Sequence, residues 1–195
     1  MTTKAGVGMS RHHNPNVAGR EAAEQALREA GTTTKPDFVF MFASVGYDQH
    51  SLLRAVRQAT EEAPLIGRSA EGTINGENTE ESNFSVLVTT ISSKELHWRN
   101  GLATGLEADP HAVGRRVAQD LLPGLAPDAV GLFVFPVLAG NPDNFFVGLE
   151  GDHLSERFLP LWGGGAGNNL NPGERTYQYY YGPHLHTAVV LALSS

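Results

Sequence analysis

Pro160-Leu161-Trp162-Gly163-Gly164-Gly165-Ala166-Gly167-Asn168-Asn169 decides how the chain is read. Four glycines in the five positions 163–167 permit backbone angles, and a closeness of approach, that side chains forbid. A phosphate cradle requires a helix N-terminus directly behind such a run. Here Asn169-Leu170-Asn171-Pro172-Gly173 follows, all but one of them turn formers, and then Thr176-Tyr177-Gln178-Tyr179-Tyr180-Tyr181 reads as strand. The run is a strand–loop–strand corner.

The corner has an earlier echo. Pro64-Leu65-Ile66-Gly67-Arg68-Ser69-Ala70-Glu71-Gly72 opens with the same proline, leucine, apolar residue and glycine, and places alanine three residues later, as Ala166 follows Gly163. Upstream, Pro36-Asp37-Phe38-Val39-Phe40-Met41-Phe42 parallels Pro127-Asp128-Ala129-Val130-Gly131-Leu132-Phe133. Downstream, Ser85-Val86-Leu87-Val88-Thr89-Thr90-Ile91-Ser92-Ser93 parallels Thr187-Ala188-Val189-Val190-Leu191-Ala192-Leu193-Ser194-Ser195. Three matches in the same order point to a tandem duplication.

Each copy reads strand-helix-strand-helix-strand-strand. In the first, Lys4-Ala5-Gly6-Val7-Gly8-Met9-Ser10 is a strand, and Asn14 or Asn16 caps a helix to about Ala30, stopped by Gly31. Val17, Ala22, Ala23, Ala26 and Leu27 form its inner face, small enough for close packing on a sheet. Residues 38–43 are apolar without alternation, as in a strand covered on both faces, and a second helix spans about 49–62. Strands at 65–69 and 84–91 close the first copy. The second copy has strands at 95–103, 129–135 and 186–193, helices from Asp109-Pro110 to Leu122 and from Asp143 to about Phe158, and an extra hairpin arm of tyrosines. Two helices cover one face of a four-stranded sheet, yet the central strands are apolar on both. This predicts an α/β fold in which two sheets pack face to face with helices outside, a four-layer αββα sandwich. One continuous mixed sheet with helices on both faces is the alternative.

With 195 residues, 41% hydrophobic and 18% charged, the chain has a globular composition. A net charge of −7 without clustered Lys and Arg argues against nucleic acid as a partner. The absence of cysteine excludes disulfides, thiolate catalysis and Cys-based zinc sites. No apolar run reaches membrane-spanning length, and Met1-Thr2-Thr3-Lys4 does not begin a signal peptide. The expectation is a cytoplasmic protein with no membrane partner.

The order Lys4-Ala5-Gly6-Val7-Gly8-Met9-Ser10, Phe40-Met41-Phe42-Ala43-Ser44, Tyr47-Asp48, Pro64-Leu65-Ile66-Gly67-Arg68-Ser69 and Trp162-Gly163-Gly164-Gly165-Ala166-Gly167-Asn168-Asn169 resembles the N-terminal FIST domain over essentially the whole chain. The resemblance implies a sensory domain of bacterial signal-transduction proteins that binds small ligands such as amino acids. The family also occurs in eukaryotic F-box proteins. It implies one FIST N-type domain over residues 1–195, built of repeats at about 4–93 and 94–195, without the C-terminal FIST domain that commonly follows. The family's usual Cys-Ser-Thr-Ala-Gly after the Ile-Gly pair is replaced by Arg68-Ser69-Ala70-Glu71-Gly72, which substitutes the cysteine and adds two charges.

Ligands in α/β sheets sit at the carboxyl ends of buried strands. Those ends are residues 44–48, 68–71, 136–141 and 163–169. Arg68 can clamp a carboxylate in a bidentate fork and Glu71 can receive an ammonium group. Asn168 and Asn169 offer amides, Ser44 and Ser69 hydroxyls, Gly164 and Gly165 open backbone, and Tyr47 or Trp162 an aromatic wall. The expected ligand is a small amino-acid-like zwitterion or anion, with no cofactor. The plainer reading leaves Gly67 and Gly163 as turn residues, with Arg68 and Glu71 solvated.

Other features carry less. His184 and His186 share a strand face but lack a third metal ligand, and His12-His13, His97 and His153 have no evident partner. Tyr177, Tyr179 and Tyr181 read as a half-buried hairpin rather than a platform for bases. An N-terminal-nucleophile hydrolase, with Thr2 exposed by removal of Met1 and Lys4 nearby, shares the sandwich layout. No Gly-x-Ser-x-Gly or His-Glu-x-x-His occurs. The third class is a protein-interaction platform, with helices or the tyrosine hairpin docking a signalling partner or a C-terminal FIST domain.

Overall fold

Strand, helix, strand, helix, strand: the chain runs this order twice. The first pass is β1 (Lys4–Ser10), α1 (Pro15–Glu29), β2 (Phe38–Ala43), α2 (Gln49–Ala59) and β3 (Leu65–Ser69), then a small hairpin of β4 (Thr73–Asn75) and β5 (Asn78–Glu80), then β6 (Val86–Ser92). The second is β7 (His97–Ala103), α3 (Pro110–Leu121), β8 (Val130–Phe135), α4 (Pro142–Leu154) and β9 (Leu161–Gly165), then a hairpin of β10 (Gln178–Tyr180) and β11 (Gly182–His184), then β12 (Ala188–Ser194). The structure, a computed structural model, describes residues 3–32, 34–76, 78–135, 141–154, 160–169, 175–185 and 188–194.

The duplication is explicit in the sheets. The strand orders β1-β6-β2-β3 and β7-β12-β8-β9 are equivalent. In both, the last strand of the copy runs antiparallel between two neighbours, and the second and third strands pair in parallel. Even the entry to the parallel pair repeats: Val39 N–H donates to the Pro64 carbonyl at 2.9 Å and Gly131 N–H to the Pro160 carbonyl at 2.8 Å. The fold is a duplicated, mixed α/β fold, and its main strands form two separate sheets rather than one continuous one.

The chain divides into two compact units, residues Met1–Glu95 with Ala166–His184, and Leu96–Gly165 with Leu185–Ser195. In the first, α1 lies directly on β1 because two glycines open the way: a Cβ on Gly8 would stand 1.9 Å from the Ala22 carbonyl oxygen. Ala18, Ala22, Ala23 and Ala26 of α1 join Leu52, Leu53 and Val56 of α2 over Val39, Met41, Val86 and Val88 of the sheet. The other face of β2 is aromatic, with Phe38 fully buried, which accounts for the missing alternation. Asn14 caps α1, its Oδ1 accepting from Asn16 N at 2.9 Å, and Asp48 caps α2 through Ser51 N at 2.8 Å.

The second unit repeats the device. Asp109 caps α3 through Ala112 N at 2.9 Å, and Gly114 stands in α3 where Gly19 stands in α1. A Cβ on Gly114 would come within 2.1 Å of the Phe145 carbonyl, and one on Gly148 within 2.1 Å of the His111 carbonyl, so α3 and α4 touch backbone to backbone. Val113, Val117, Leu121, Phe145 and Leu149 make the core. Gly151 breaks α4.

The tyrosine arm departs from the sequence expectation. Sequence order places it in the second repeat, but β10 pairs antiparallel with β3 and extends the first sheet to six strands. Tyr179 is buried completely in the first core while Tyr181 is 48% exposed, so the hairpin is half-buried as the sequence predicts.

Candidate functional site

The expected ligand residues of the first unit gather where β2 and β3 end and the segment 166–169 crosses them. Ser69 is the hub. Its Oγ donates to the Gly167 carbonyl at 2.6 Å and accepts from Tyr177 N at 2.9 Å. Its amide donates to the Tyr177 carbonyl, and its carbonyl accepts from Gly167 N, each at 2.8 Å. Ser44 is committed in the same way: its Oγ donates to the Ser85 carbonyl at 3.1 Å and accepts from Ser85 N at 2.8 Å. Both hydroxyls therefore hold the frame.

Glu71 reaches the crossing segment from the other side, its Oε1 accepting from Asn168 N at 2.8 Å. Gly167 makes this possible, since a Cβ there would stand 2.8 Å from the same carboxylate oxygen and 2.6 Å from Glu71 N. Asn169 sits in the left-handed region at φ 56° and donates through Nδ2 to Asn83 Oδ1 at 2.6 Å. Glu71 is exposed and Asn168 buried. Charge and amides thus share one corner.

Tyr47 is buried, its hydroxyl donating to the His12 carbonyl at 3.1 Å and its ring meeting Phe84 edge-on at 5.3 Å. Burial, with a smaller contribution from Glu21, pushes that hydroxyl up to about 12. His13 stacks on the same Phe84 at 4.5 Å.

Arg68 stands apart. It lies on β3, on the sheet face opposite Gly67 and Ser69 and in register with Phe42. Its guanidinium carbon is 5.9 Å from the Phe42 ring centre. Half-burial lowers its pKa through desolvation. Among the described residues no carboxylate pairs with it, whereas Arg11, Arg28 and Arg57 pair with Glu80, Glu24 and Glu62.

Gly164 and Gly165 lie on β9 in the second unit, where Trp162 is 68% exposed. Residues 136–140, Thr2 and His186 fall outside the described residues. The His184 ring nitrogen is 2.8 Å from the Tyr180 carbonyl. No cluster of three His, Asp or Glu residues suited to a metal occurs among the described residues. Clefts among the described residues include one of about 310 Å³ beside His97, Arg99 and Gly124 and another of about 280 Å³ between α1 and α2 beside Arg20 and Gln58.

Sequence reasoning missed Gln49. Its side chain is buried, Nε2 donating to the Ser44 and Tyr47 carbonyls at 3.1 and 3.0 Å, while Oε1 accepts from Tyr179. A glutamine one residue after a helix cap looks like any exposed first-turn residue, so nothing local marked it.

The family profile of the FIST N domain matches residues 37–195. No curated protein matches the chain. Similar solved structures include a cyanuric acid hydrolase reported as an innovation by structural concatenation, at 13% identity and TM-score 0.44, covering 98% of this chain and 68% of that one. Another is cyanuric acid hydrolase from A. caulinodans, at 9% identity and TM-score 0.43, covering 100% and 71%. At those scores the likeness bears on neither activity nor site.

Proposed function

This chain belongs to the FIST N domain family, and on that premise we propose that it is a ligand-binding sensory domain of a bacterial signal-transduction protein, taking an amino acid or another small carboxylate. The observation that carries the ligand class is Arg68. A guanidinium stays charged in a protein, and half-burying it costs hydration that a counter-charge restores. Phe42 attracts the cation but accepts no N–H bond of ordinary strength. A small carboxylate supplies what the described residues do not.

Glu71 is a separate candidate charge, at the polar corner from which Arg68 stands apart. One of its oxygens holds Asn168 N, and the other is available to an ammonium group. Asn168 and Asn169 complete the polar set, while Ser44, Ser69 and Tyr47 keep the corner rigid. Because Glu71 grips the segment that leads to the β10–β11 arm, occupancy at this corner is felt by that arm, which is how a sensor reports. A cytoplasmic location accompanies this reading; among the described residues no helix is long and apolar enough to cross a membrane.

A melting screen against amino acids, keto acids and dicarboxylates tests the reading, since a ligand that binds only the folded state raises the midpoint. At least one carboxylate should stabilise the wild type and leave Arg68→Gln unmoved. A panel without any shift removes the sensor reading and leaves the protein-interaction platform.

A further inference from the structure

Both outer strands of the six-stranded sheet, β1 and β11, carry a visible device. The outward amides of β1 are taken by α1, Val7 N donating to Glu29 Oε2 at 2.6 Å and Met9 N to Gln25 Oε1 at 3.1 Å. The far edge, β11, is three residues long with Pro183 at its centre. The outer edge of β3 is covered by β10.

In the second unit the counterpart of β3 is β9. Gly163 stands in parallel register with Phe133 as Gly67 does with Met41. Yet β9 ends its sheet, in the order β7-β12-β8-β9, and among the described residues nothing bonds its outer edge. It carries none of the usual protection. Leu161-Trp162-Gly163-Gly164-Gly165 has no charge, no proline and no bulky residue after Trp162, which is 68% exposed. Such an edge is a template for another strand.

What fits there is shown by the first unit. The β3 edge takes an antiparallel strand that sets an aromatic residue opposite a glycine, Tyr179 across from Gly67, and buries it fully. We propose that β9 is the seat of a two-fold homodimer, in which this strand pairs antiparallel with the same strand of a second copy. A two-fold axis at Gly163 sets Trp162 of each copy opposite Gly164 of the other and Leu161 opposite Gly165. The aromatic-on-glycine pairing then occurs twice, and two identical strands without charge do not repel each other.

The chain has no cysteine, so a single introduced thiol reports the contact directly. Residues directly opposite in an antiparallel pair lie about 4.5–5.5 Å apart at Cα, within disulfide reach. Sedimentation velocity is run on the wild type and on Trp162→Lys, and oxidative cross-linking on Gly163→Cys, with Thr79→Cys, exposed on β5, as control. The expected result is a wild-type dimer, a loss of at least about tenfold in self-affinity for Trp162→Lys, and covalent dimers from Gly163→Cys but not from Thr79→Cys. A monomeric wild type overturns the proposal. So does a dimer indifferent to Trp162→Lys, or cross-linking no better at position 163 than at position 79.

Discussion

The phenol of Tyr179 donates a hydrogen bond to Oε1 of Gln49 at 2.5 Å, and both side chains are buried. The bond joins the arm that follows the glycine corner to the first turn of α2, across 130 positions of sequence. Gln49 passes the connection on through the Ser44 and Tyr47 carbonyls. One contact thus fastens the arm to the frame of the proposed site.

Replacing Tyr179 by Phe leaves Gln49 Oε1 buried without its donor. The expected cost is about 1–3 kcal/mol in urea unfolding, because an orphaned buried acceptor loses its full desolvation. Adding Gln49→Met to that variant should cost less than the sum of the single changes, the signature of a shared bond.

The contact of α1 with β1 has no room for a methyl group. Gly8→Ala drives a Cβ into the Ala22 carbonyl, backbone against backbone, so the helix must lift. A loss of about 1–3 kcal/mol is expected in thermal or urea melts.

Closure of the β1 edge by side chains makes a separate prediction. Glu29→Ala frees Val7 N, and Gln25→Ala frees Met9 N. Each should cost about 1 kcal/mol, and the double variant should show self-association that the wild type lacks at this edge, read by light scattering in a Trp162→Lys background.

Alkaline stability follows from Tyr47. Its hydroxyl is pushed up to about 12 when folded, against about 10 in an unfolded chain. The folded protein holds that proton more tightly, so the contribution is complete below about pH 10 and is lost as pH rises from there toward about 12. Tyr179, also raised by burial, acts in the same direction. Tyr47→Phe should flatten part of this decline in melting midpoint without removing it.

Much of this architecture was legible. The repeated Pro-Leu-apolar-Gly entry marked two equivalent third strands, and the unalternating run at 38–43 marked a strand buried on both faces, because period and turn chemistry are local. The small inner face of α1 announced its close approach to the sheet. The destination of the tyrosine arm was not legible: alternation shows that Tyr177 and Tyr179 share a face, but not which sheet receives it, since strand pairing is a property of the whole chain. The hydroxyls of Ser44 and Ser69 looked free for a ligand, and they are consumed by the backbone of segments 41 and 98 positions away. Arg68 was read from its charge alone. Its half-buried place beside Phe42, which gives that charge its meaning, came only with the fold.

Ligand capture turns on the guanidinium of Arg68 holding a small carboxylate. Titration calorimetry of the wild type, Arg68→Lys and Arg68→Gln, with the carboxylate that most raises the melting midpoint, measures this directly. The prediction is saturable binding to the wild type, weakening by about tenfold in Arg68→Lys as the bidentate fork is lost, and no measurable heat with Arg68→Gln. Equal affinity in all three proteins would contradict it.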